Sequence, residues 1–485
     1  MNPLRVVRAQ QMPQVPGVPG APGTPGTPHV PVAIVGAGAC GLMTALRLRS
    51  QGVECVLLER DAVPTGSTAL SSGFIPAAGT RLQQSLGIKD SIDLFAQDVQ
   101  AKAHGDAATH LVAAYTQAVA QGVNALEAEH GITFEILDGF LYPGHRARRM
   151  HAVPERTGAA LMARMERAAN AAGADILTEA RVCELWLDTN DRALGVAYER
   201  PDGALEYLAC DVLVLACNGY GGNPAMVSAL LPAMRSAVFA GHVGNDGSAI
   251  VWAQQMDARL ADMGAYQGHG SWATPQNALM SWAVMMEGGI QINSTGARFH
   301  DETKGYSEAA VHVLEQPGGV AWNVFDAPLL AMARSFPDFV DAQTAGACRT
   351  AHNTAALAQL IGCDEAAVLA TLADVQAVGT DRFGRAFKRA LQPPYYVVKV
   401  TGALFHTQGG LDIDAHCRVV KSDGSVFPNL LAAGGAARGV SGNAVWGYLS
   451  GNGLLSAIGG GWVAAGSALS QLAGHQSTGH VTSDK

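Results

Sequence analysis

Val30-Pro31-Val32-Ala33-Ile34-Val35-Gly36-Ala37-Gly38-Ala39-Cys40-Gly41 is the stretch on which the architecture turns. Its first half is short, apolar and β-branched, the signature of a buried parallel strand. The strand runs straight into Gly-x-Gly-x-x-Gly and then into the amphipathic segment Leu42 to Gln51. A second strand, Glu54-Cys55-Val56-Leu57-Leu58-Glu59, ends in an acid 21 positions after Gly38, followed by Arg60. In this arrangement Gly36 permits a tight turn, Gly38 lets the backbone approach a pyrophosphate, and Gly41 lets helix and strand pack closely. The pyrophosphate rests on the unpaired amides at Ala39 and Cys40, while Glu59 accepts the ribose hydroxyls. A lone glycine triplet is weak, but strand, helix and correctly spaced acid make it a dinucleotide site. The fold class is therefore α/β, built on a Rossmann-type domain.

Composition narrows the function. At 485 residues, 48% apolar and with 57 glycines, the chain holds enough material for two domains and a large core. A net charge of -9 excludes nucleic acid as a partner, since that role needs basic stripes. The most apolar stretch, Leu454 to Leu469, is broken by Gly459-Gly460-Gly461 and reads as a buried helix, so no membrane span is expected. Eight scattered cysteines form no Cys-x-x-Cys pair, which removes local haem, zinc and iron–sulfur signatures. They suit a reducing, cytoplasmic setting, and no metal is expected. Residues 1–29, with repeated Pro-Gly steps such as Pro16-Gly17 and Pro19-Gly20, read as a disordered tail; residues 471–485 read as a flexible C-terminus.

The remaining motifs resemble those of fumarate reductase-like flavoproteins. The small-residue loop Thr65 to Gly73, with Ser67, Thr68, Ser71 and Ser72, resembles the loop with which that family passes the pyrophosphate and flavin ring. Leu213 to Gly222, carrying Ala216, Asn218 and Gly219, resembles its strand followed by Ala-Thr-Gly-Gly-Phe. Asn429 to Gly435 resembles its Gly-Leu-Tyr-Ala-Ala-Gly-Glu, with Gly435 replacing the acid and Gly434 retained. The resemblance implies FAD, held by these residues together with Val182, Asp246, Asn452, Gly453, Leu454 and Leu455. No histidine lies in the small-residue loop, so the flavin is expected to be non-covalent. It also implies a glutathione-reductase-like FAD-binding domain over residues 30–262 and 408–470, interrupted by an α+β capping domain over 263–407.

Within that resemblance the substrate residues have changed. His269 and His406 fall on the family's two substrate-binding histidines. Its acid-delivery positions carry Trp282 and Met285, and its two arginines have become Tyr306 and Tyr448. A pocket without those cations cannot easily hold a fumarate dianion, because desolvating a carboxylate costs several kcal/mol. The paired tyrosines look like 3-ketosteroid dehydrogenases and related cyclic-ketone dehydrogenases. Gly447-Tyr448-Leu449-Ser450-Gly451 is closest to the Tyr-x-Ser branch that makes 4-enes. The expectation is a ketone desaturase: Tyr306 as base with Ser450 as relay, and Tyr448 with the amides of Gly451 to Gly453 polarising the carbonyl. An ordinary tyrosine titrates near pH 10, so the base must be depressed or relayed. Trp272, Trp282 and Trp446 are candidate walls for an alicyclic ring. Retained histidines point to a ketone that also bears a carboxylate. Arg298, Asp301 and Glu302 read as structural ion pairing, and Arg438 as a surface residue or an acid's partner. The alternative is an enoate reductase of a non-fumarate acid. The electron acceptor (a quinone, an electron-transfer protein or oxygen) and the oligomeric state are left open.

Overall fold

The computed structural model describes residues 2–19, 25–138, 141–375 and 380–479. Among them the larger sheet has nine strands, and seven follow one path. They are β1 (Arg5–Arg8), β2 (His29–Val35), β3 (Cys55–Leu58), β4 (Asp175–Leu177), β5 (Arg181–Leu187), β6 (Ala193–Glu199) and β7 (Leu205–Leu215), in the spatial order β1-β5-β6-β7-β2-β3-β4. Strands β7, β2, β3 and β4 run parallel, and Val426–Ala432 returns from the far end of the chain to lie parallel beside β7. The apolar run of β2 sits centrally, with Val32, Ala33 and Ile34 fully buried. Helix α1 (Ala39–Ser50) follows it, and a Cβ on Gly41 would stand 2.0 Å from the carbonyl oxygen of Gly36, so only glycine allows this strand–helix corner. This is the expected Rossmann-type α/β arrangement.

The second body is built around β8 (Tyr266–Ala273), β9 (Val320–Phe325) and β10 (Tyr395–Thr407), with β10 paired antiparallel to both. Helix α2 (Tyr306–Leu314) packs on β8. Where the chain crosses between the bodies, Leu260–Ala261 pairs antiparallel with Gly410–Leu411, close to the expected boundaries at 262 and 408. The capping sheet also recruits Val238–Phe239, which pairs with Ala403 and Leu404 of β10, so it draws on residues well before 263.

Two expectations about the chain ends are corrected. The supposed tail starts with β1, which lies parallel to β5 and extends the large sheet. Its two valines are flanked by arginines that find acids: Arg5 Nε donates to Glu184 at 2.8 Å and Arg8 Nη1 to Asp191 at 2.6 Å. Val15–Pro19 then pairs with Pro25–Gly26, while the Pro-Gly steps across 20–24 lie outside the described residues. At the other end, residues 471–479 continue the helix Gly460–Gly479, and residues 480–485 lie outside the description. The helical run Asn452–Gly474 has a mean hydropathy of 1.2 and is half buried against α1 and the helix Thr109–Ala128, the position of a core helix.

Candidate active site

One cavity runs between the two bodies, from Glu59 at the end of β3 to the two tyrosines. Its first half is a backbone cradle. Gly38 caps α1 with no side chain bonding the helix start, leaving the Ala39 and Cys40 amides toward the cavity, and a Cβ on Gly38 would meet nothing within 4 Å. Gly36 lines the same turn. Glu59 accepts from the Ala37 amide at 2.9 Å and the Asp61 amide at 3.0 Å, which fixes its carboxylate at the rim. Arg60 donates to Asp246 at 2.9 Å, so Asp246 stands behind the cavity wall as that arginine's partner. Ser67 Oγ accepts from Asn218 and Asn245 at 2.9 Å each, which leaves its own hydroxyl proton to donate into the cavity.

Thr68, Ser71, Ser72, Gly73, Val182, Ala216, Gly434, Gly453 and Leu454 also line the cavity. Ser456 lines it too, with a buried Oγ that has no protein partner. An open glycine cradle, uncapped helix amides and an orphaned hydroxyl fit a long polar cofactor. Besides Asp246, four expected cofactor residues stand off the wall. Gly41 makes the strand–helix corner, and Gly219 abuts Thr407. Asn452 donates to Ser441 at 2.9 Å, and Leu455 is core.

The other half of the cavity is aromatic. Tyr306, first residue of α2, and Tyr448, before the left-handed turn at Gly451, meet edge to face with ring centroids 6.2 Å apart. Both are nearly buried, at 8% and 5% exposure. Burial raises the Tyr306 phenol well above its ordinary value; Tyr448 adds to this, and a bond with the Ser450 side chain pulls the other way. Burial likewise raises Tyr448, against donation from the Gly453 and Gly451 amides; Gly453 N lies 3.4 Å from its oxygen. A water-poor aromatic pocket penalises phenolate, so burial works against a depressed phenol here.

His269 on β8 stacks on Tyr306 at 4.9 Å, and His406 on β10 meets Tyr448 edge-on at 5.6 Å. Burial lowers His269 to about 3 and His406 to about 4, so both rings are neutral at physiological pH. Ser271 N donates to His269 Nδ1 at 3.1 Å, which puts that ring's proton on Nε2. Trp282 completes a wall, 5.7 Å from His269, with its Nε1 donating to the Glu302 carbonyl at 3.0 Å.

Trp446 is corrected as a substrate contact: it is 47% exposed, stacks on His104 and lies outside the cavity, as does Trp272, which packs against Phe405. Tyr142, Ser281 and Asp338 line the cavity with no motif to announce them, and Phe405 lines it beside His406 in the same run. The only arginines among the described lining residues are Arg60 and Arg181, the latter bonded to Glu199 at 3.0 Å. Arg438 binds Asp262 and Asp412 at 2.8 and 3.0 Å, a structural role. Arg298 and Arg385 grip the buried Glu302 at 2.6 and 2.5 Å. Burial alone would raise that carboxyl, but the arginines prevail and hold it at about 2. Asp301 caps its own turn through Thr303.

The family described as FAD binding domain matches residues 31–454. The chain belongs to it. It is an FAD-dependent oxidoreductase of the broad group in which fumarate reductases and ketosteroid dehydrogenases share a fold. It is 26% identical over 435 residues to a probable fumarate reductase of Shewanella frigidimarina, covering 88% of this chain and 72% of that one. It is 23% identical over 509 residues to a 4-oxocyclohexanecarboxylate 2-dehydrogenase of Sinomonas cyclohexanicum, covering 84% and 87%. Among solved structures, the 3-ketosteroid-delta4-(5alpha)-dehydrogenase of Rhodococcus jostii RHA1 superposes with a TM-score of 0.74 at 22% identity, over 96% of this chain and 99% of that one.

Proposed function

We propose that this enzyme desaturates the C–C bond α,β to the carbonyl of a cyclic ketone. The reading is carried by one observation: two buried, mutually packed phenols, one beside Ser450 and the other bonded to the Gly453 amide, share a cavity end with neutral histidines and no arginine. Bound FAD would supply the hydride acceptor for the β carbon. Tyr448 accepts from the amide of Gly453, so its own proton is free to meet the ketone oxygen and stabilise negative charge there. Tyr306 takes the α proton as its own phenolic proton passes to the Ser450 hydroxyl and the Ser450 proton passes on to bulk water; the raised phenol makes that coupling necessary, since a standing phenolate is disfavoured. His269, Trp282 and Phe405 pack together as an aromatic wall that would exclude water from a bound alicyclic ring.

The neutrality of His269 and His406 favours an uncharged ketone over a keto acid. The dehydrogenase of 4-oxocyclohexanecarboxylate named above keeps the keto acid in the test. Non-covalent FAD follows from the His-free loop at Thr65 to Gly73, so acid precipitation should release all yellow colour into the supernatant. The deciding experiment screens the purified yellow protein anaerobically against steroid ketones, monocyclic ketones and oxocyclohexanecarboxylates with a dye acceptor. Bleaching by a saturated ketone is expected. Reoxidation of pre-reduced protein by an unsaturated acid, with no ketone response, would establish the enoate reductase reading instead.

A further inference from the structure

His145 belongs to no motif, yet it touches the loop that carries Tyr448 and Ser450. Its Nε2 lies 2.9 Å from the carbonyl oxygen of Ser450, and its Nδ1 lies 3.4 Å from Arg149 Nη1. Arginine can only donate and a carbonyl can only accept, so the ring is a neutral imidazole with its proton on Nε2, aimed at Ser450. Behind it the arrangement is rigid. Arg149 is fully buried and bonds Asp98 at 2.7 Å and Asp90 at 2.9 and 3.0 Å, while its guanidinium lies 4.6 Å over the ring of Phe95. Burial and then the Arg149 charge lower the histidine to about 4, in keeping with the tautomer the geometry demands. The contact is close-fitting: a Cβ on Gly144, whose φ is +86°, would stand 2.7 Å from Leu449 Cδ1. Segment 142–149 of the FAD-binding body thus packs against the Tyr448–Gly451 loop.

We propose that His145 is a positioning residue. By donating to the Ser450 carbonyl while Arg149 fixes its other nitrogen, it sets the peptide from which the Ser450 hydroxyl reaches Tyr306 and from which the Gly451 turn faces Tyr448. The ionic cluster behind it anchors the ring and takes no part in proton transfer. The kinetic half of this proposal rests on the ketone desaturase reading; the geometric half does not.

The test compares His145→Leu, which deletes the donor, with His145→Gln, whose side-chain amide can place an N–H near the lost Nε2. Both are made in the full chain with FAD bound. Amide hydrogen exchange across residues 448–453 reads the loop without any substrate. For His145→Leu, exchange there should speed up and kcat with a dye acceptor should fall at least about tenfold with KM within about twofold, a barrier change confined to the bound state. For His145→Gln, exchange protection and kcat should return most of the way to wild type, while thermal midpoints of the two variants stay alike. Wild-type exchange and kcat in His145→Leu would overturn the proposal, and so would a glutamine variant as impaired as the leucine one. If His145→Leu fails to retain flavin, the glutamine variant alone decides, by full protection or its loss. If wild type turns over no ketone, the desaturase reading fails while the exchange comparison still decides the positioning.

Discussion

The two ends of the cavity hold their polar groups by opposite means. At the pyrophosphate end the lining is backbone: the turn at Gly36 to Gly38, the amides of Ala39 and Cys40, and a carboxylate pinned by the Ala37 and Asp61 amides. Charges occur there and are paired, Arg60 with Asp246 and Arg181 with Glu199. At the tyrosine end the lining is side chain: phenols, imidazoles and an indole, buried deeply enough to stay uncharged. Backbone recognition requires spacing and survives wide change in the residues between the glycines. Side-chain recognition changes chemistry with each substitution. One end can therefore stay constant across a group of enzymes while the other redefines the substrate.

The largest effect expected at the tyrosine end comes from Tyr306→Phe. Removing a general base typically costs about 10²–10⁴ in rate, so turnover should fall by that order with flavin still bound and its visible spectrum unchanged. Near wild-type turnover would end the base assignment. Tyr448→Phe comes next. Losing one oxyanion donor costs about 10²–10³ in kcat, and the Gly453 amide left behind should keep the residual rate above that of Tyr306→Phe. Equal residual rates would mean that the two phenols act as one unit.

Acid stability sharpens the contrast further. His145, His151, His300 and His406 are held at about 4 and His269 at about 3, each chiefly by burial. An unfolded histidine binds its proton near 6.5, so between that value and about 4 the unfolded state holds more protons than the folded one. Stability from these neutral rings is complete above about pH 6.5 and is lost as pH falls toward 4. The thermal midpoint should therefore drop steadily over that window, and a flat profile would show that water reaches these rings. At the other end, Glu59→Gln keeps an acceptor for the Ala37 amide but loses charge. FAD affinity should weaken by about tenfold, close to 1.4 kcal/mol by fluorescence titration, with kcat at saturating FAD unchanged.

What was legible in the chain follows the same division. The strand, glycine triplet and Glu59 announce themselves because backbone geometry permits few residues at those spacings. Tyr306 and Tyr448 were visible because they stand where cations are expected inside recognisable runs, and Ser450 because it completes the Tyr-x-Ser run; all three line one cavity. Asp338, Tyr142 and His145 were not visible, because each acts through a residue far away in the chain: Asp338 accepts from Ser72, Tyr142 packs on Phe74, and His145 meets the Ser450 carbonyl. The first strand was missed for a related reason. Val6 and Val7 are too short a run to signal a strand until β5 supplies Glu184 opposite Arg5.

Trp446 marks where reasoning from adjacency fails, and it carries the smallest expected effect. It sits two residues before Tyr448, in the turn Val445–Gly447, so its proximity in sequence suggested a wall of the substrate pocket. The short turn directs the two rings apart: Tyr448 enters the cavity, while Trp446 remains 47% exposed, stacked on His104 at 6.1 Å. A half-exposed stack away from the cavity contributes little. Trp446→Ala should change unfolding free energy by no more than about 0.5–1 kcal/mol and leave kcat and KM near wild type for every ketone accepted. A selective rise in KM for bulky ketones would mean that substrate extends past the turn to the protein surface. The tyrosine end would then be open where its aromatic walls imply closure.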